Sequence, residues 1–144
     1  MNTMAARGSH GLALEGRFGQ AYNEEAFRYF LLIERKRAER AHRPVLLLLL
    51  DLREPPERMR IDPALAAKLF SSLWRCLRET DVVGWCREDR VVGAVLTQVD
   101  DVVPAEVTTV IRQRVSEVLR QGLSADVARP LRVRVYQLRP GPKG

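Results

Sequence analysis

The stretch Val45-Leu46-Leu47-Leu48-Leu49-Leu50-Asp51-Leu52 constrains the fold of this chain more than any other. Its apolar run is far short of the roughly 20 residues that a membrane-crossing helix needs. Pro44 stands before it and Pro55-Pro56 soon after, so it cannot extend into a long helix. A short, continuous apolar run bounded in this way predicts a central β-strand over residues 45–52, covered on both faces. Asp51 then lies at the C-terminal end of that strand.

The flanking segments supply the cover. Asn23 reads as an N-cap, and Glu24 and Glu25 follow in the first turn, where the helix dipole favours negative charge. Phe27, Phe30, Leu31, Ala38 and Ala41 continue a helical stripe to about residue 42. Asp62-Pro63, an N-cap followed by proline, opens a second helix over 63–78 with Leu65, Ala66, Leu69, Phe70, Leu73 and Leu77 inward. Residues 81–86 and 91–97 read as two strands joined through the turn Arg87-Glu88-Asp89-Arg90. Pro104 opens a third helix with Val107, Val110, Ile111, Val115, Val118 and Leu119 inward and Gly122 just past its end. Leu131 to Leu138 alternates apolar residues with Arg132, Arg134 and Gln137, as a half-exposed strand does.

Residues 1–20 contain glycine and no periodicity and read as a tail, residues 140–144 as a frayed end, and 21–139 as one domain. The order α-β-α-β-β-α-β predicts an α+β sandwich of ferredoxin-like type, with helices packed on one face of a mainly antiparallel sheet. A chain of 144 residues, 46% hydrophobic and 29% charged, is of a size to build one such core.

Several functions are disfavoured by what is present. Residues 1–14 carry no continuous apolar segment of signal-peptide type, so a cytoplasmic location without membrane insertion is the expectation. Cys76 and Cys86 do not form a CxxC pair and have no histidine nearby, so they read as buried, reduced thiols rather than zinc ligands. His10 falls in the tail and His42 after a charged helix end, which leaves no Ser-His-Asp or Cys-His set. The net charge of +6 comes mostly from arginines dispersed from Arg7 to Arg139, which reads as a solvated surface rather than a nucleic-acid interface.

The stretch from Leu77 to Leu96 carries a resemblance. Arg78-Glu79-Thr80-Asp81 precedes, by five residues, the hairpin position held by Arg87-Glu88-Asp89-Arg90-Val91. This is similar to the segment of GGDEF (diguanylate cyclase) domains in which an R-x-x-D leads into the Gly-Gly-Asp/Glu-Glu-Phe hairpin. By element order the resemblance covers residues 21–138, and it implies a nucleotide-cyclase-like sandwich. Members of that family hold divalent metal on a triphosphate with two carboxylates, and those positions match Asp51 and Asp89. The resemblance also shows departures. The two glycines are Arg87 and Glu88, side chains of a size that blocks close approach of a ligand to the backbone. The fourth, acidic position is Arg90. The loop Arg53-Glu54-Pro55-Pro56-Glu57-Arg58 lacks the family's phosphate- and guanine-positioning elements. The resemblance therefore implies a degenerate, catalytically inactive domain with vestigial positions Asp51, Arg87, Glu88, Asp89 and Arg90, and with no cofactor expected.

Three readings of Asp51 and Asp89 stay open: common strand-end and turn aspartates, a residual metal pair, or carboxylates whose metal is replaced by Arg87 or Arg90 as counterion. The last is favoured over metal. Arg78 and Asp81 match the family's inhibitory site for cyclic di-GMP, where arginine forks onto the ligand and the carboxylate accepts from guanine. The competing, favoured reading is a helix-end arginine paired locally with its neighbour. The leading functional expectation is a regulatory or scaffolding domain in bacterial signalling that contacts a protein partner in trans. A cyclic di-GMP receptor comes second and a weak nucleotide cyclase third. A homodimer would pair through Trp85 or the last strand, with Trp85 more at home half-buried in the sheet.

Overall fold

The computed structural model describes residues 11–16, 19–53, 60–78, 80–96 and 106–139. In chain order the elements are β1 (Leu12–Gly16), β2 (Gly19–Tyr22), α1 (Glu24–Ala41), β3 (Val45–Leu52), α2 (Pro63–Cys76), β4 (Val82–Arg87), β5 (Val91–Leu96), α3 (Val107–Gly122), α4 (Ala125–Ala128) and β6 (Leu131–Leu138). From α1 onward this is the predicted order, with the short α4 added. The strands form one mixed sheet in the order β1-β2-β4-β5-β3-β6. β3 runs antiparallel to β5 on one side and to β6 on the other. The parallel contact joins β2 to β4 at Tyr22 and Gly84.

The apolar run in β3 is explained by its two covers. Val45 and Leu47 face Phe27 and Ala38 of α1, whereas Leu48, Leu50 and Leu52 face Leu69, Phe70 and Leu73 of α2 and Val115 and Leu119 of α3. Leu48 and Leu50 are fully buried, each contributing about 1.5–3 kcal/mol of hydrophobic stabilisation. Helices therefore cover both faces of the sheet, as the apolar run of β3 predicts, which corrects the expectation that the helices pack on one face. Alternate β3 side chains point opposite ways, and all of them except Asp51 are apolar, so each face needs its own helix.

The N-terminal tail is also corrected. Residues 12–16, inside the expected tail, and 19–22, across its boundary at residue 20, pair as a hairpin that extends the sheet. Its order comes from distant residues. Ala21 is fully buried, the indole N–H of Trp74 on α2 donates to the Gln20 carbonyl at 3.2 Å, and the Gly11 carbonyl accepts from Asn23 N–H at 2.7 Å. Residues 1–10 and 140–144 lie outside the described residues.

The predicted caps form. Asn23 accepts from Ala26 N–H at 2.9 Å and Asp62 from Leu65 N–H at 2.8 Å, each filling an orphan donor of a helix N-terminus. His42 closes α1 in a left-handed conformation, φ +56°. In α3, Val115 and Leu119 are buried as expected, but Val110 is 49% exposed rather than inward. Pro104, the expected start of α3, lies outside the described residues. No helix among them is long and apolar enough to cross a membrane.

Candidate functional site

Asp51 is a charged residue inside the apolar strand, 3% exposed. On the same face of the sheet as α1, it stands directly opposite Arg132 in the β3·β6 ladder. Arg132 grips both carboxylate oxygens, Nε to Oδ1 at 3.0 Å and Nη2 to Oδ2 at 2.7 Å. Arg134, two residues on and therefore on the same face, donates from Nη2 to Oδ2 at 3.1 Å. Its Nη1 donates to the Tyr136 hydroxyl at 3.1 Å, and its guanidinium lies 5.8 Å from that ring's centre. Asp51 also holds Arg132 more firmly protonated, by hydrogen bonding first and charge second. An arginine counterion for Asp51 was expected, but from the hairpin. The cations on its carboxylate are Arg132 and Arg134 of β6, not Arg87 or Arg90.

The hairpin turn is braced elsewhere. Arg90 N–H closes it on the Arg87 carbonyl at 3.0 Å. The positive φ, +64°, falls on Asp89, a residue type that tolerates it, so Arg87 and Glu88 occupy the expected glycine positions with no left-handed backbone. Asp89 accepts from Arg60 Nη2 at 3.0 Å, and its carbonyl accepts from Ile61 N–H at 2.7 Å. Glu88 and Glu24 form a reciprocal clamp. Glu88 N–H donates to Glu24 Oε1 at 2.7 Å, and Glu24 N–H, at the start of α1, donates to Glu88 Oε1 at 3.3 Å. Burial raises the Glu88 carboxyl above its ordinary value; the Glu24 N–H pulls it down, while the charges of Asp89 and Glu24 push it up. Arg28 Nε donates to the Cys86 carbonyl at 3.1 Å and is ion-paired with Glu24 at 3.2 Å, fastening α1 to β4.

An open cleft of about 700 Å³ lies between the start of α1, α2 and this turn. Phe70, Ala66 and Trp85 contribute its apolar wall, and Glu24, Glu25, Glu88 and Asp89 its rim, with Arg28 the single cation among the described lining residues. The size suits a small ligand, but four carboxylates against one guanidinium repel an anion. Among the described residues no group of three or more His, Cys, Asp or Glu comes together to hold a metal ion.

Arg78 and Asp81 lie beside each other at the end of α2. Asp81 Oδ2 accepts from Arg78 N–H at 2.9 Å, and Asp81 N–H donates to the Arg78 carbonyl at 3.0 Å. The Asp81 carboxylate thus closes a local turn. Trp85 is 4% exposed and meets Phe70 edge-on, ring centres 5.4 Å apart, so it presents no pairing surface. Cys76 and Cys86 are both free and half-buried, and burial raises both thiols. Of the departing loop, residues 54–59 lie outside the described residues.

The residues that the sequence reading missed are Arg132, Arg134, Arg60 and Glu24. The first two had a signal: arginines at i and i+2 share one face of a strand, and two cations on a partly covered face call for a carboxylate. Which carboxylate depended on strand register.

No protein-family model and no curated protein matches the sequence. Among solved structures the chain is similar to the diguanylate cyclase SiaD from Pseudomonas aeruginosa, determined in complex with its activator SiaC. The two share 16% identity, with a TM-score of 0.59. The match covers 97% of this chain and 55% of the other, so the chain spans about half the length of that relative. At this identity the likeness is one of fold: the chain has the α+β architecture of a diguanylate cyclase.

Proposed function

We propose that this chain is a catalytically silent domain of diguanylate-cyclase-like fold that acts in bacterial signalling by contacting another protein. The observation that carries the reading is the state of Asp51. At the position matching the family's metal aspartate, the carboxylate is buried and forked by Arg132, with Arg134 added. A carboxylate satisfied by two guanidiniums is a poor ligand for a divalent cation, because binding the metal must first break those pairs. Asp89, the second matching carboxylate, is engaged by Arg60. The acidic rim of the neighbouring cleft adds repulsion toward a triphosphate. The donor set does not fit the metal that phosphoryl transfer on this fold would require.

Two observations support action through protein contacts. The related cyclase was determined with an activator protein bound. In this chain, Tyr29 and Leu32 on α1 are 60% and 50% exposed and one turn apart, an apolar surface of the kind that protein interfaces cover. The closure of Asp81 on Arg78 weighs against the cyclic di-GMP receptor.

Incubation of the purified chain with GTP and magnesium or manganese tests the silent half of the proposal; formation of cyclic di-GMP would overturn it. A photo-crosslinker at Tyr29, introduced in the native host, tests the contact. A discrete protein adduct from position 29 that a crosslinker at Arg112 does not give supports the reading, and the absence of an adduct at position 29 counts against it.

A further inference from the structure

A second cleft, of about 460 Å³, lies at the same end of β3 as Asp51 but on the other face of the sheet, among the residue after β3, α3, α4 and the start of β6. Leu119, Leu131 and Val133 contribute apolar wall, and Arg53, Arg120 and Arg129 bring three guanidiniums to it. No carboxylate lines it among the described residues. Arg53 and Arg120 form no ion pair with any described residue, and Arg129 has only a loose contact at 4.0 Å with Asp126, itself 92% exposed. The arginines around Asp51 and Asp89 contrast with these: Arg60, Arg132 and Arg134 are all spent on carboxylates.

We propose that this cleft binds a small organic phosphate, its phosphate held by Arg53, Arg120 and Arg129 and its apolar body laid on Leu119, Leu131 and Val133. Planar guanidinium forks match phosphate oxygens, and three cations suit a dianion better than a monocarboxylate. A cavity of this volume with apolar walls and a few charged groups has the make-up of a small-molecule site. Among the described residues it shares no lining with the acidic cleft, and neither Asp51 nor its partners Arg132 and Arg134 line it, so its occupancy can be tested whether or not the Asp51 centre is silent.

The probe is phenyl phosphate, titrated into the full chain at about 150 mM salt, where long-range attraction to a basic protein is largely screened. Binding is followed by amide NMR shifts, with inorganic phosphate and benzoate in parallel. Shifts centred on Ser116, Ala128 and Val133 are expected, with phenyl phosphate tighter than either control. Arg120→Gln should weaken binding about tenfold, the worth of one charge-assisted hydrogen bond. Arg40→Gln, on α1, removes the same charge remotely and should change nothing. Ala125→Phe fills the cleft without altering charge and should abolish binding. The proposal fails if phenyl phosphate does not shift those amides, if Arg40→Gln weakens binding as much as Arg120→Gln, if Ala125→Phe leaves binding intact, or if benzoate binds as tightly as phenyl phosphate.

Discussion

Arg132 stands directly across the β3·β6 ladder from Asp51 and holds both of its carboxylate oxygens, at 3.0 and 2.7 Å. Replacing Asp51 by asparagine leaves two half-buried guanidiniums facing each other without an anion. Breaking a buried pair from one side costs about 3–5 kcal/mol, and the partial exposure of both arginines brings the expected loss to about 2–3 kcal/mol. Urea unfolding of Asp51→Asn, Arg132→Gln and the double variant measures it. The cycle should return a coupling above about 1 kcal/mol; additive losses would mean that the pair contributes nothing beyond its separate side chains.

Glu88 supplies a pH dependence of known sign. Its carboxyl is raised, with burial the largest cause, so the folded chain holds that proton more tightly than the unfolded chain does. Its contribution to stability therefore falls as pH rises through the carboxylate range. Glu88→Gln keeps an acceptor for the α1 N-terminus and removes the charge. It should raise Tm at pH 7 and lose that advantage at about pH 4, where the native carboxyl is protonated. An equal change at both pH values would remove the charge from the explanation.

The parallel junction between β2 and β4 rests on Gly84. A Cβ there would lie 2.5 Å from the Tyr22 carbonyl oxygen and 2.9 Å from its nitrogen, and backbone atoms cannot swing aside as a side chain can. Gly84→Ala should cost about 1–3 kcal/mol and detach the N-terminal hairpin, seen as faster hydrogen exchange at Ala21 and Tyr22. Unchanged exchange there would show that the junction tolerates separation.

Both thiols are raised by burial, Cys86 against the opposing pull of Arg28. At pH 8 iodoacetamide should label Cys76 and Cys86 more slowly than a free cysteine, because less thiolate is present. Denaturant should bring both to the free rate. Labelling at the free rate in the native state would contradict the burial.

Calorimetric titration with cyclic di-GMP should give no heat, because accepting from Arg78 N–H holds the Asp81 carboxylate in a local turn. Low-micromolar binding that Arg78→Ala abolishes would instead establish a receptor and displace the reading proposed above.

The sequence by itself determined whatever depends on neighbours along the chain. The apolar run of β3, the caps at Asn23 and Asp62, the α2 stripe and the β4–β5 hairpin all follow from local spacing and local hydrogen bonds, so they were legible. Tertiary structure decided what depends on register and distant contact. The hairpin of residues 12–16 and 19–22 has little periodicity of its own; Trp74, Gly84 and the buried Ala21 give it a place. Arg132 and Arg134 read only as outward residues of an alternating strand, yet an eight-residue antiparallel register puts one opposite Asp51 and the other beside it. A shift of one residue would have turned both to the other face and left the carboxylate buried alone. The identity of that counterion, on which the functional reading turns, could therefore come only from the assembled sheet.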